Sequence, residues 1–176
     1  MPSLYQHPPS DPDMAELVAR MRAGLRTLPA EFERHRKALE SGATLGSLRG
    51  ITDEEHDLAY RAACRLCDEE QFHHALPVAL QLVAHKPRDS RFAFLCASCL
   101  QRTGNASDAA LFYAICLELD STHAVAAYRL GECLEAMGFV REAMQAYARA
   151  VDVCRGQFNY AVLQDMAQAR IDRQDC

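Results

Sequence analysis

Tryptophan is absent from this chain of 176 residues, and so is any apolar run approaching the length of a membrane span. The first absence leaves the 49% hydrophobic share to smaller aliphatic and aromatic side chains, which is ample for packed helices. The second excludes a protein that crosses a bilayer on a helix. The start, Met1 to Asp13, has neither a basic cluster nor an apolar stretch, so a secretory signal is not expected and a cytoplasmic location follows by default. Cationic excess is lacking too. The net charge is −5; residues 1–50 carry seven basic and six acidic side chains, the remainder twelve and eighteen. An acidic remainder argues against nucleic acid as a partner. Eight cysteines fall short of the roughly 8–10% that marks a disulfide scaffold, and without a signal they are expected as thiols. No glycine-rich phosphate loop and no supported Ser/His/Asp set occurs, so nothing points to an enzyme or a cofactor.

What is present is a period. Ala63, Ala97 and Gly131 are small residues 34 apart, and Ala75, Ala109 and Ala143 repeat the step. Leu66, Leu100 and Leu134 form a third column; Tyr60, Phe94 and Tyr128 form a fourth. Small residues at two fixed phases let two helices cross closely, and this period is that of the tetratricopeptide hairpin, helix A, turn, helix B. An ordinary bundle whose alanines align by chance would not keep four columns in register. Gly104 and Gly138 fall where the A–B turn needs a left-handed residue. The first copy has Glu70 there and is expected to solve its turn differently.

The expected fold is therefore all-α: a tetratricopeptide superhelix of three helix pairs, with N-terminal helices before it and a capping helix after it. Residues 1–50 are read as a disordered start plus N-terminal helices, 51–157 as the repeats (56–89, 90–123 and 124–157), and 158–176 as the cap. Asp11-Pro12 suits a helix start, and Leu28-Pro29 is expected to end that helix before a shorter one, Ala30 to Glu40. Gly42 to Gly50 reads as a loop with Leu45 and Leu48 as anchors. Thr52 and Glu55 form a capping box. Helices are expected at 53–68, 72–84, 90–103, 106–118, 124–137 and 140–153, with Pro77 disturbing the second and Pro87 closing the unit. Phe158, Val162, Met166 and Ala169 mark the cap, whose outer side should be polar.

Stacks of this kind present a concave face. The helix-A stripe expected there is Asp57, Tyr60, Cys64 and Cys67, then Arg91, Phe94, Ser98 and Gln101, then Val125, Tyr128, Glu132 and Glu135. The aromatic column would offer a peptide flat apolar contacts; internal packing of the rings is the alternative. A Lys/Asn carboxylate clamp needs cationic donors, and Arg91, with Arg102 beside the stripe, supplies the only positive charge, so an apolar peptide is the better ligand. Met14, Leu17, Val18, Met21, Leu25 and Leu28 form an apolar helical stripe that either folds back on the repeats or pairs two copies. Cys64-x-x-Cys67 and Cys96-x-x-Cys99 have the spacing of zinc knuckles but lie mid-helix, so no metal is expected. Cys116, Cys133 and Cys154 read as small buried residues. Adjacent His73 and His74 face different ways.

The run from Gly42 to Glu55 (GATLGSLRGITDEE), Asp89-Ser90-Arg91-Phe92, Cys99-Leu100-Gln101 and Gly131-Glu132-Cys133-Leu134 resemble the class II chaperones of bacterial type III secretion, over about residues 42–156. The resemblance implies a cytoplasmic chaperone that holds an extended segment of hydrophobic translocator proteins in its groove and keeps them soluble before export. It also implies a homodimer formed through the N-terminal helices, and contacts with the export machinery or a transcriptional regulator. Tyr60 matches a groove aromatic of the family, whereas Cys64 and Cys67 replace larger aromatic residues and imply a roomier pocket. A general tetratricopeptide scaffold in a regulatory complex is the alternative.

Overall fold

The computed structural model describes residues 9–173. The expectation of a disordered start falls mostly outside these residues, as do the last three positions of the cap. The chain divides into two compact units, one ending at Cys99 and the other beginning at Leu100. The described secondary structure is helical throughout: α1 (Pro12–Glu40), α2 (Leu45–Leu48), α3 (Asp53–Asp68), α4 (Phe72–His85), α5 (Ser90–Arg102), α6 (Ala106–Leu119), α7 (Ala124–Ala136), α8 (Val140–Cys154), a 3-10 turn (Phe158–Tyr160) and α9 (Ala161–Asp172).

The small-residue columns sit where close crossing demands. Ala63, Ala75, Ala97, Ala109 and Ala143 are completely buried. The Thr52 side chain accepts from the Glu55 amide while Glu55 accepts from the Thr52 amide, so α3 starts on a full capping box. Glu70 takes φ 59°, the same left-handed turn as Gly104 (86°) and Gly138 (83°). A different turn was expected of the first hairpin. The geometry is shared instead, with Glu70 bearing a cost of about 1 kcal/mol that glycine would not.

In the first unit, α1 is one helix of 29 residues, not two. Pro29 is exposed, so solvent can pair with the carbonyl that its missing N–H releases and the helix runs on. The Gly42–Gly50 segment contains the short α2, capped by Thr44 and Ser47; Leu45 anchors it at 1% exposure, while Leu48 is turned outward.

The apolar stripe of α1 packs against α4. Met14 and Val18 are buried, Leu17, Met21, Leu25 and Leu28 half-buried. At the crossing, Gln81 donates from Nε2 to the Met21 carbonyl at 3.2 Å. A Cβ on Gly24 would lie 2.4 Å from that nitrogen, so any larger residue would displace the Gln81 amide from this bond. Pro77 lies inside α4 and frees the His73 carbonyl four residues earlier. Arg22 of α1 donates to that carbonyl at 3.2 Å. The proline that should disturb α4 thus creates an acceptor that docks α1. Arg22→Met is expected to keep the stem packing but lose this bond, costing about 1 kcal/mol. The check is hydrogen exchange, with protection falling in residues 12–40 more than in 72–85.

A second polar tie closes the same unit. Glu31 accepts from Arg49 Nε (2.8 Å) and Nη2 (2.5 Å), and Arg49 Nη1 donates to His85 Nε2 at 2.7 Å. His85 is 5% exposed, and burial, aided by the Arg49 charge, pulls its pKa down to about 4. The neutral ring is therefore the folded form. Stability from this group is complete above its unfolded pKa of roughly 6.5 and is lost as pH falls from there toward 4, by about 3 kcal/mol at ~1.4 kcal/mol per unit. Urea midpoints measured across this window should fall steeply in the wild type and less steeply in His85→Gln.

In the second unit, Tyr113 donates to Gln101 and Tyr147 to Glu135, each at 2.8 Å, the same tie one repeat apart. Beside α8, helix α9 inverts the orientation expected of the cap. Ala167 is its fully buried residue, whereas Phe158, Val162 and Met166 are 95%, 74% and 47% exposed. The methyl of Ala167 allows a close approach to α8, and Arg170 points inward to acids of α7 (below). Those two contacts fix the rotation and turn the apolar stripe out.

Candidate functional site: the first-helix stripe

The stripe divides into two halves with different chemistry. In the first unit, α3 and α5 bring Asp57, Tyr60, Cys64, Cys67, Arg91, Phe94 and Ser98 to intermediate or greater exposure. They are positioned by what lies behind them: Ala59, Ala62, Ala63 and Leu66 on α3, and Phe92, Ala93, Cys96 and Ala97 on α5, all buried. The Tyr60 ring rests 5.7 Å from that of Phe92, and the Arg91 guanidinium lies 5.4 Å from both ring centroids. Arg91 is held by Asp57 at 3.2 Å and by Asp89 at 2.8 Å. Its charge is thereby committed to local acids, and it orients Tyr60 more than it offers a grip for an anion. Burial pushes the Tyr60 hydroxyl up to about 12, so it stays protonated. The thiols of Cys67 and Cys99 are in contact, Sγ to Sγ 3.6 Å.

The second unit places Gln101, Val125, Tyr128, Glu132 and Glu135 otherwise. Tyr128, expected as the third ring of an open ladder, is 3% exposed. Its ring packs 5.4 Å from Tyr147. Glu132 accepts from Arg129 at 2.7 Å, from Gln101 at 3.3 Å and from Arg170 at 3.4 Å; Glu135 accepts from Arg170 at 2.9 Å as well as from Tyr147. The acids of the stripe are therefore neutralised within a network rather than presented bare. A small cleft on this side is lined by Tyr128, Asp165, Met166, Ala169, Arg170 and Arg173. Arg129 and Arg170 escaped the sequence reading. Arg170 lies outside the repeat columns, and only the inward rotation of α9 brings it to the acids.

Cys116, Cys133 and Cys154 are buried. Among the described residues no three His, Cys, Asp or Glu side chains are grouped to hold a metal, and no helix is long and apolar enough to cross a membrane.

Known structures share this architecture. A T3SS complex from Aeromonas hydrophila matches with TM-score 0.74 at 18% identity, covering 80% of this chain and 94% of the other. The type III secretion chaperone SycD of Yersinia enterocolitica, in complex with a peptide of the translocator YopD, matches with TM-score 0.68 at 20% identity, covering 70% and 94%. PcrH from Pseudomonas aeruginosa matches with TM-score 0.69 at 18% identity, covering 75% and 100%. The fold is that of these proteins. The family model described as anaphase-promoting complex, cyclosome, subunit 3 matches residues 68–150, from the last residue of α3 into α8. No curated protein matches the sequence.

Proposed function

We propose that this chain is a type III secretion chaperone that binds an apolar, extended segment of a translocator protein on its first-helix stripe. The observation that carries the proposal is the pair Tyr60 and Phe94. Both stand half-exposed at the same repeat phase, above a floor of buried small residues, with Cys64, Cys67 and Ser98 beside them. An enclosed ring packs inward; a half-exposed ring on a rigid floor offers flat apolar area with little entropy to lose on binding. Support comes also from the fold, which is that of SycD, seen with a translocator peptide.

The stripe's character sets the guest. Arg91 is committed to Asp57 and Asp89, and the acids of α7 are paired. A segment of spaced apolar side chains fits such a surface better than an acidic tail does. Covering it would keep the client soluble by mass action, without ATP. Nothing in this reading calls for catalysis, and the site of action is the bacterial cytoplasm, before export.

Self-association is part of the proposal in narrowed form. Met14 and Val18 are spent on α4, so a second copy would meet Leu17, Met21, Leu25 and Leu28, which are half-buried.

The test is co-expression with a translocator from the same genome. With this chain present the translocator should move from the pellet to the soluble fraction and co-purify with it. A translocator equally insoluble with and without the chain would refute the proposal.

A further inference from the structure

We propose that Cys67 and Cys99 are a redox-active pair that closes to an intrachain disulfide, stapling α3 to α5 on the face that carries Tyr60 and Phe94. Each comes from a different C-x-x-C motif, and neither motif makes a metal site. Their sulfurs stand 3.6 Å apart. A disulfide needs about 2.05 Å between sulfurs, so the sulfurs have to close by roughly 1.5 Å to reach bonding distance.

The two thiols differ in the way such a pair requires. Cys67 is half-buried and reachable from solvent, whereas Cys99 is fully buried. The contact with Cys99 holds the Cys67 thiol below its ordinary value, and the same contact, with burial, pushes Cys99 up. Cys67 is therefore the nucleophile that an oxidant meets first, and Cys99 the resolving thiol. Cys64, one turn earlier, is pushed up by burial. Burial raises Cys116 and Cys133 to about 11.

With hydrogen peroxide as oxidant the chemistry balances. The Cys67 thiolate attacks one peroxide oxygen and the O–O bond breaks. The departing hydroxide takes a proton and leaves as water, with Cys67 as sulfenic acid. The Cys99 sulfur then attacks the Cys67 sulfur; the S–S bond forms, the S–O bond breaks, and the hydroxyl leaves with the Cys99 proton as a second water. Two thiols are oxidised by two electrons and one peroxide is reduced to two waters. A dithiol reductant reverses the bond by exchange. A consequence that rests on the chaperone reading is that the bond fixes the spacing of α3 and α5 beneath Tyr60 and Phe94, so a bound client should be held differently by the two redox forms.

The experiment treats the full-length chain with a small excess of hydrogen peroxide, blocks remaining thiols, and maps tryptic peptides without reduction. Arg65 lies between Cys64 and Cys67, so trypsin separates them. The expected product is a linked pair joining the Cys67 peptide to the one containing Cys99. It should vanish on reduction and be lost in Cys67→Ser and in Cys99→Ala, but persist in Cys64→Ser and Cys96→Ser. Cys67 is half-buried, so Cys67→Ser should retain the wild-type circular dichroism even if Cys99→Ala does not. A Cys64–Cys67 link, an intermolecular link, or Cys67 driven to sulfinic acid with no link would each overturn the pair. Client affinity is compared afterwards between the reduced and linked forms. Equal affinities would remove the consequence and leave the bond standing, whereas absence of the link removes the proposal whether or not a client binds.

Discussion

Gly131→Val is expected to break the third hairpin and to be among the most damaging single changes in the chain. A Cβ at this position would lie 2.5 Å from Tyr147 Cε1 and 2.7 Å from Cδ1, well inside contact distance. The ring has no room to retreat. Tyr147 is fully buried, packs against Tyr128, lies 6.0 Å below the Arg170 guanidinium and is fixed at its hydroxyl by Glu135. Overpacking of this kind costs typically 1–3 kcal/mol, with the branched side chain placing valine at about 3 kcal/mol or beyond. For a chain of this size that is a fall in Tm on the order of 10 °C. Gly131→Ala is the finer probe. Its gain in helix propensity, about 1 kcal/mol, opposes the clash, and the clash should prevail because the ring is pinned from three sides. Adding Tyr147→Leu to Gly131→Ala should restore part of the loss. A double-mutant cycle without coupling would mean that the two residues do not meet as described.

The same contact shows what the sequence could tell. The small-residue columns dictate where helices cross, and the helices of the three hairpins lie within a residue or two of the periodic expectation because period, caps and turns all point one way. Repeat logic also marked position 131 as small. It could not say that the neighbour is Tyr147, held by Glu135 and roofed by Arg170, because that needs the rotation of α9. The rotation was misjudged from Phe158, Val162 and Met166. Their spacing describes an apolar face but not which way it points, and the small Ala167 with the charged Arg170 outweighed it. Prolines misled in a similar way. Pro29 sits where solvent tolerates it, and Pro77 has its freed carbonyl answered by Arg22, a residue fifty-one positions away. A long-range donor for a released carbonyl leaves no periodic trace.

The aromatic column illustrates the limit most directly, since one phase in three repeats gives three rings but not three environments. Tyr60 and Phe94 are half-exposed, whereas Tyr128 is closed off, with Tyr147 of α8 packed against it. This difference sets the second large effect. Replacing Tyr60 and Phe94 together by alanine is expected to abolish client binding at working concentrations. Aromatic anchors cost on the order of 2 kcal/mol each on truncation; two of them, if additive, weaken binding by roughly a thousandfold. The fold should tolerate the change. Both side chains already stand partly in water, and Tyr60 gives up one ring contact with Phe92 and the Arg91 cation, together about 1 kcal/mol. Tyr128→Ala is the counterpart. It empties a buried site and should cost about 3 kcal/mol or more, lowering Tm while affinity per folded molecule changes little. Calorimetric titration of a purified translocator segment, with thermal melts of each variant, separates the two. If Tyr60→Ala/Phe94→Ala unfolds the protein, or if Tyr128→Ala alone removes binding at full stability, the client does not lie on α3 and α5.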